Sequence, residues 1–585
     1  MPRNKVLEKA KVSMPSGRNA FDLSQKRTFT SRAGLIDICY CQPMVAGTKG
    51  KISRDCFTRT AEVVSPAFHD VTEHYDFFIV PIHSLWRQWE NWKLNINDLQ
   101  DTFSVPFNAS SGPAGSPDLL LPENAPRLDF SELVSRLGYM DSNFSVYTPN
   151  QKCQRANNLL RLVDQLRYSH SVVPQDDEWP SVMNTFMIAA YQKCYFDHYR
   201  RTDYESNNPY AYNLDWLYDG THNGLLNPQP SNYTSKDQYV ARELFTMRSV
   251  NYRNDAFMNI YPALSYVQSR PSGASWLVPA SIGGTGSSSN SGKPSVSVQG
   301  NAYISSGSSE MRNFTVQGIR AMFALDKLMR ASAYAPKHVR DQYKALYGVE
   351  GVEDFDMRSE RIGSFQSSVN FTEVINMAQS QDYNLGDLGA RGIGGDKSKK
   401  FFNFYCKYDS IVIGLHYFMP RACYDAYGVH PWNVKIARED FYVKAFENLG
   451  LRPFYAYNLQ WRPNAMNNAV VGWTVPNHEY KILPDINFAE FQSNFGTFVT
   501  DGSVVSIEYR SSELSTFVPH SGQSLLNSID GVTYESFKVL PSDLDNIFVN
   551  SMPFTSEWGL FQFYGQCRIS VLVVAPMSVH GQPIL

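Results

Sequence analysis

Hydrophobic and polar positions along the chain change their period several times, and each change predicts an element. In "GLIDICYCQPM" (34–44), Ile36, Ile38 and Tyr40 alternate with Asp37, Cys39 and Cys41, the period of a half-buried strand. Pro43 and Gly47 then mark a turn. "TEHYDFFIVPI" (72–82) is denser and reads as a more buried strand ended by Pro81. Beyond it Trp86, Trp89 and Trp92 recur every three residues, which sets them along one side of a short helix or turn. In "EWPSVMNTFMIAAYQKCYFDHYR" (178–200) the period becomes helical. Pro180 suits a first helical position, with Phe186, Ala189, Ala190 and Lys193 on one face and Met187, Tyr191 and Tyr195 on another. Val316, Ile319, Met322 and Phe323 predict a second helical region over about 311–347, extended by "PKHVRDQYKALYG". Toward the end, "SIVIGLHYFMP" (410–420) and "CRISVLVVAPM" (567–577) are continuous apolar runs closed by proline, as in core strands of a sandwich or barrel.

Between these lie stretches built for loops. Residues 105–127 are rich in Pro, Gly and Ser, 202–235 in Asn, Tyr and Pro, and 281–300 in Gly and Ser. Strands are therefore expected near 31–85 and 400–585, with insertions over about 100–310. This is a β fold with large insertions rather than alternating βα units.

Composition sharpens the picture. With 585 residues, 43% hydrophobic, 19% charged and 14% aromatic, the chain is less charged and more aromatic than usual. That excludes disorder and suggests surface buried against neighbours. The net charge is −3, so no global basic field exists, but residues 1–30 form a basic arm. Arg3, Lys5, Lys9, Lys11, Arg18, Lys26 and Arg27 stand there against Glu8 and Asp22. Such an arm binds nucleic acid or is a solvated terminus. No apolar run is long enough for a signal peptide or a transmembrane segment. The eight cysteines are dilute and scattered, which fits reduced thiols in a cytoplasm.

No chemistry-bearing motif survives inspection. "GARGIGGDKSKK" (389–400) has glycines at phosphate-loop spacing, but Gly395 and Asp396 stand where the lysine should follow. Cys39, Cys41, Cys56, His69 and His74 lack the spacing of a zinc site. "HDVTEH" (69–74) is not the metalloprotease motif. His83, His198, His416 and His430 are isolated, and such residues usually serve as hydrogen-bonded core residues. The reading is therefore not an enzyme, with no cofactor and no metal. The tryptophans are expected to pack a strand end or a subunit contact, their rings burying large apolar areas. The alternative is an exposed platform of a carbohydrate-binding β-sandwich protein.

Several blocks, in order along the chain, carry a family resemblance. "SGRNAFDLSQKRTFTSRAGLIDICYCQPMVAGTKGKIS" (16–53) and "RTAEVVSPAFHDVTEHYDFFIVPIHSLWRQW" (59–89) open it. "AAYQKCYFDHYRRTDY" (189–204), "YRNDAFMNIYP" (252–262), the segment 314–364 and "APMSVHGQPIL" (575–585) continue it. Together they resemble the major capsid protein of the Microviridae, phages with single-stranded DNA, on the gokushovirus and alpavirus side. Met44-Val45-Ala46-Gly47-Thr48 departs from the family's turn.

The resemblance implies an eight-stranded antiparallel jelly roll with long helical and loop insertions. It implies a single capsid domain over 31–585 and a T=1 icosahedral shell around a circular single-stranded DNA genome. Implied partners are further copies of the chain, the genome, a small DNA-packaging protein, a scaffolding protein and a host surface receptor. Implied location is the virion, assembled in the bacterial host cytoplasm. The basic arm would then neutralise genome phosphates, and the 268–310 segment or the 202–240 loop would form an outer protrusion.

Overall fold

The computed structural model describes residues 17–63, 70–94, 125–128, 161–168 without 163, 183–215 without 206, 218–219, 222–223, 244–261 without 245 and 256, 335–349, 357–375, 388–397, 400–425, 428–447, 450–458, 470–492 and 561–579, with single positions elsewhere. Ten of its strands join one antiparallel sheet. They are β1 (Asn19–Asp22), β2 (Gln25–Ser31), β3 (Asp37–Met44), β4 (Lys49–Thr60), β5 (Val71–Pro81), β6 (Glu360–Ile375), β7 (Leu388–Lys397), β8 (Phe402–Tyr405), β9 (Ser410–Pro420) and, past a small hairpin of β10 (Arg452–Tyr455) and β11 (Val470–Thr474), β12 (Phe563–Ala575). The order across the sheet is β1-β12-β4-β7-β6-β5-β9-β3, with β2 also on β12 and β8 also on β4. The fold is mainly β.

The sheet curls because one strand serves two neighbours. β6 pairs with β5 from Glu360 to Val369 and with β7 from Val369 to Ile375. A bulge between Arg361 and Gly363 adds twist near its start. The curl encloses a core of Tyr40, Ile52, Tyr75, Phe77, Phe365, Phe404, Val412, Ile569 and Val571. A second core lies on the other side of β5 and β9. There Phe78, Val80, Ile411 and Ile413 meet helix α2 (Phe186–Cys194) and residues 244–260.

Burial on both faces explains the continuous apolar runs of β5 and β9, since neither face meets water. In β12 the run is only half buried. Ile569, Val571 and Val573 point inward, while Arg568, Leu572 and Val574 are exposed. α2 is likewise enclosed nearly all round instead of amphipathic, Lys193 included. It starts after Thr185, and Pro180 lies outside the described residues. α3 (Val339–Tyr347) forms in the segment expected to extend the second helical region, but none of its residues is buried; Val316, Ile319, Met322 and Phe323, whose spacing predicts that region, lie outside the described residues. Gly348 ends it in the left-handed conformation, at φ 67°, its N–H donating to the Lys344 carbonyl.

Four strands fall where the sequence predicts none. β6 and β7 lie outside the expected ranges, and "GARGIGGDK", rejected above as a phosphate loop, is strand. β1 and β2 occupy part of the stretch read as an arm over 1–30, paired to β12 through Asn19–Asp22 and Gln25–Ser31. The candidate protrusion at 268–310 lies outside the described residues, as does most of 216–240. Beside Val539 of the second core, Gly34 takes φ +76°, and a side chain there would strike the Val539 carbonyl at 2.2 Å.

Candidate functional site

The tryptophans sit on a turn whose backbone is fixed by β5 and β9. Pro81 ends the strand, and the amide of Ile82 donates to the Asp409 carbonyl at 2.9 Å. Residues Ile82–Ser84 make one tight turn, and helix α1 (Trp89–Lys93) follows. Trp86 precedes the helix and is 1% exposed. Its ring lies 5.5 Å from Trp92, 6.5 Å from Trp89 and 6.2 Å from Phe186 of α2. Trp89 and Trp92 are half-buried. Trp89 Nε1 donates to Asp409 Oδ2 at 3.2 Å, Lys93 Nζ reaches the same carboxylate, and the Ala46 amide donates to Oδ1 at 3.0 Å. Burial alone would raise the Asp409 carboxyl, but these donors hold it below its ordinary value. The cluster thus ties the β3–β4 turn, the start of β9 and α2 together.

The basic residues separate. Arg3, Lys5, Lys9 and Lys11 lie outside the described residues. Arg18 and Lys26 are exposed. Arg27 turns inward, and its guanidinium donates to the carbonyls of Ile38 and Gln165 at 3.1 and 2.9 Å. The strand period of β2 separates them: Lys26, Thr28 and Thr30 face out, Arg27, Phe29 and Ser31 face in.

Sequence reasoning missed the buried charges. Inside the curl Glu73, 0% exposed, accepts from Tyr75 OH at 2.7 Å and Thr58 Oγ1 at 2.9 Å, and pairs with His416 Nε2 at 2.9 Å. Ser367 Oγ donates to its other oxygen at 3.2 Å. Burial alone would raise Glu73, yet the hydrogen bond and charge of His416, with Tyr75 and Thr58, bring it down to about 2. Arg54 is enclosed beside this group, paired with Asp396 at 2.9 Å and stacked on Tyr75. On the other face of β5, Asp76 accepts from Tyr199, Tyr417 and Arg361. Glu73, His416, Arg54 and Asp76 are buried and paired, so they fasten strands together.

Outside, the sequence also hid a surface. Residues 428–447 and 478–488 expose Ile436 at 91%, Leu483 at 72% and Phe488 at 65%, with Trp432, Tyr442 and Tyr480 beside them. The two segments are held by the half-buried Lys435–Glu479 ion pair and by Trp432 packed on Phe441 and Tyr480. Grouped apolar exposure of this kind marks a protein contact. Its signal in the sequence is weak, because the residues alternate with turn formers and show no period. Among the described residues no cluster of His, Cys, Asp or Glu is placed to hold a metal ion, and no helix is long and apolar enough to cross a membrane.

Residues 11–118 match the family model described as capsid protein (F protein). No curated protein matches the chain. The matched residues include β1 to β5 and the tryptophan turn. Over these residues the chain is similar to the F capsid protein family, a family of Microviridae major capsid proteins.

Proposed function

From that family match we propose that the chain is the repeating subunit of a T=1 icosahedral shell enclosing a circular single-stranded DNA genome, and that its curled sheet is an eight-stranded jelly roll. The observation that carries the reading is where the match falls. Its residues build the first half of the curl, in which strands pair in nested fashion: β2 with β12, β3 with β9, β4 with β7 and β8, β5 with β6. Rolling a ribbon of eight antiparallel strands joins first to last, second to seventh, third to sixth and fourth to fifth. β7 and β8 count there as one interrupted strand along β4, and β1 extends the edge. The exposed apolar surface at 428–488 supports assembly, because a closed shell repeats its contacts around symmetry axes and needs such faces on every copy.

In this reading the basic arm contacts the genome, a scaffolding protein and a small DNA-packaging protein assist, and an outer insertion meets the host surface receptor. The virion assembles in the bacterial cytoplasm. The Trp86, Trp89 and Trp92 cluster braces the subunit.

The test compares wild type with the double variant Ile436→Asp, Leu483→Asp. Wild type expressed in bacteria with its assembly factors is expected to sediment as uniform small particles, visible by negative stain after nuclease treatment. The double variant is expected to stay as folded subunits, since a carboxylate in a closed apolar contact would lose its water. A wild type that remains monomeric and binds immobilised sugars through Trp432, Tyr442 and Tyr480 would overturn the shell reading in favour of a carbohydrate-binding protein.

A further inference from the structure

The two walls of the curl are finished differently. The wall of β3, β9 and β5 is covered on its outer side by α2 and residues 244–260. The wall of β2, β12, β4 and β8 keeps its outer side chains exposed among the described residues. Strand register sets those side chains in rows. Lys49 has Val574 on one side and Tyr405 on the other. Lys51 lies between Leu572 and Asn403. Arg568 lies between Lys26 and Asp55. Arg59 faces Tyr564.

The cations sit on rings. Lys49 Nζ is 5.4 Å from the centroid of Tyr405, Lys51 Nζ 5.1 Å from that of Phe401, and the Arg59 guanidinium 5.2 Å from that of Phe57. Phe401, Tyr405, Phe57 and Phe561 are all exposed large aromatics. Facing the same way, Asp55 and Asp22 oppose Lys26, Lys49, Lys51, Arg59 and Arg568. The face is therefore positive on a chain whose net charge is −3. It is also continuous with the basic N-terminal stretch, since β1 and β2 lie along its edge.

We infer that this face is a docking surface for single-stranded DNA, whose bases stack on the exposed rings while the interleaved lysines and arginines neutralise phosphates. Alternating cations and rings suit a single strand, where every base offers a stacking face and no base edge need be read. A duplex hides its bases and would use only the charges. The inference rests on the shell reading for its biological occupant, the genome, though its chemistry is testable without a shell.

The experiment measures binding of a fluorescent oligothymidylate to the full-length, unassembled chain by anisotropy across a salt series, with shell assembly followed separately by sedimentation. In Lys49→Ala/Lys51→Ala/Arg568→Ala, log affinity against log salt is expected to lose about 2 from its slope, roughly 0.7 for each phosphate contact to a single strand. In Phe401→Ala/Tyr405→Ala, affinity is expected to fall at least ~5-fold with the slope retained, the mark of lost stacking. Slope and affinity unchanged in both variants would overturn the inference. So would variants that bind DNA normally but no longer assemble, which would make the face an interface between copies of the chain. A wild type that fails to assemble yet shows both effects would fault the shell reading and leave this one standing.

Discussion

Glu73→Ala is expected to destabilise the subunit by about 3–5 kcal/mol, the cost of stripping one partner from a buried ion pair. The carboxylate gathers donors from four strands: Tyr75 on β5, Thr58 on β4, Ser367 on β6 and His416 on β9. Removing it leaves these donors facing an empty, dry space. Rings pack around the same point, with Phe29, Tyr75 and Phe418 each within 4.9 Å of the His416 ring centroid, so water has no easy way in. Replacing both partners by apolar residues should recover much of the loss, because the penalty comes from the orphaned partner rather than from missing attraction. The measurement is the urea midpoint of the unassembled subunit for Glu73→Ala and for Glu73→Met/His416→Leu. A single variant within about 1 kcal/mol of wild type would refute the argument.

The same pair fixes a pH dependence. Glu73 sits at about 2 in the folded chain against an ordinary value of 4.5, so it is depressed. Its contribution is complete above about 4.5 and is lost as pH falls from there toward 2. The other groups nearby do not reverse this. The Cys56 thiol beside Glu73, pushed up to about 11 by burial and the carboxylate, stays neutral across this range. The stability profile of Glu73→Gln should be flatter than wild type between those limits. Equal acid slopes would mean that Glu73 is not the group responsible.

Trp86→Ala is the second large effect, with an expected cost of about 3–5 kcal/mol. The ring fills the space between two other tryptophans and Phe186, and the fixed strand ends around it leave little room to collapse. Trp89→Ala and Trp92→Ala should cost less, since both rings are half-buried. Trp89→Phe, which keeps an aromatic ring but drops the bond to Asp409, should lose about 1 kcal/mol. Thermal melts of the four variants test the ranking, which fails if Trp86→Ala is the mildest.

Much of this protein was legible before any fold was known, and the reason is local. β5 and β9 announce themselves because both of their faces are buried, so nearly every position must be apolar. β3 shows the alternation of a strand, α2 a helical period, and the tryptophan spacing a short turn of helix, although in β3 Asp37, Ile38, Cys39 and Tyr40 are all buried instead of alternately so. His416, alone in an apolar strand, reads as a hydrogen-bonded core residue, and it is one. Of the ordered blocks that resemble the capsid family, those between 16 and 89 fall within the residues that match its model, 11–118.

What the chain alone left hidden depends on residues far apart in it. β6 and β7 escape notice partly because glycines take inner positions, Gly363 in β6 and Gly392 and Gly394 in β7, where neighbours' side chains fill the room. A side chain at Gly363 would strike the ring of Phe402, and one at Gly392 the methyl of Thr60. β2 reads as a basic arm because β12, its partner, is more than 500 residues away, and only that pairing turns Arg27 inward. Glu73 and His416 are 343 positions apart, and Arg54 and Asp396 are 342 apart. Periodicity reports how a residue relates to its own element. Which charge is neutralised, and which wall of the curl stays bare, is set by elements that meet only when the sheet closes.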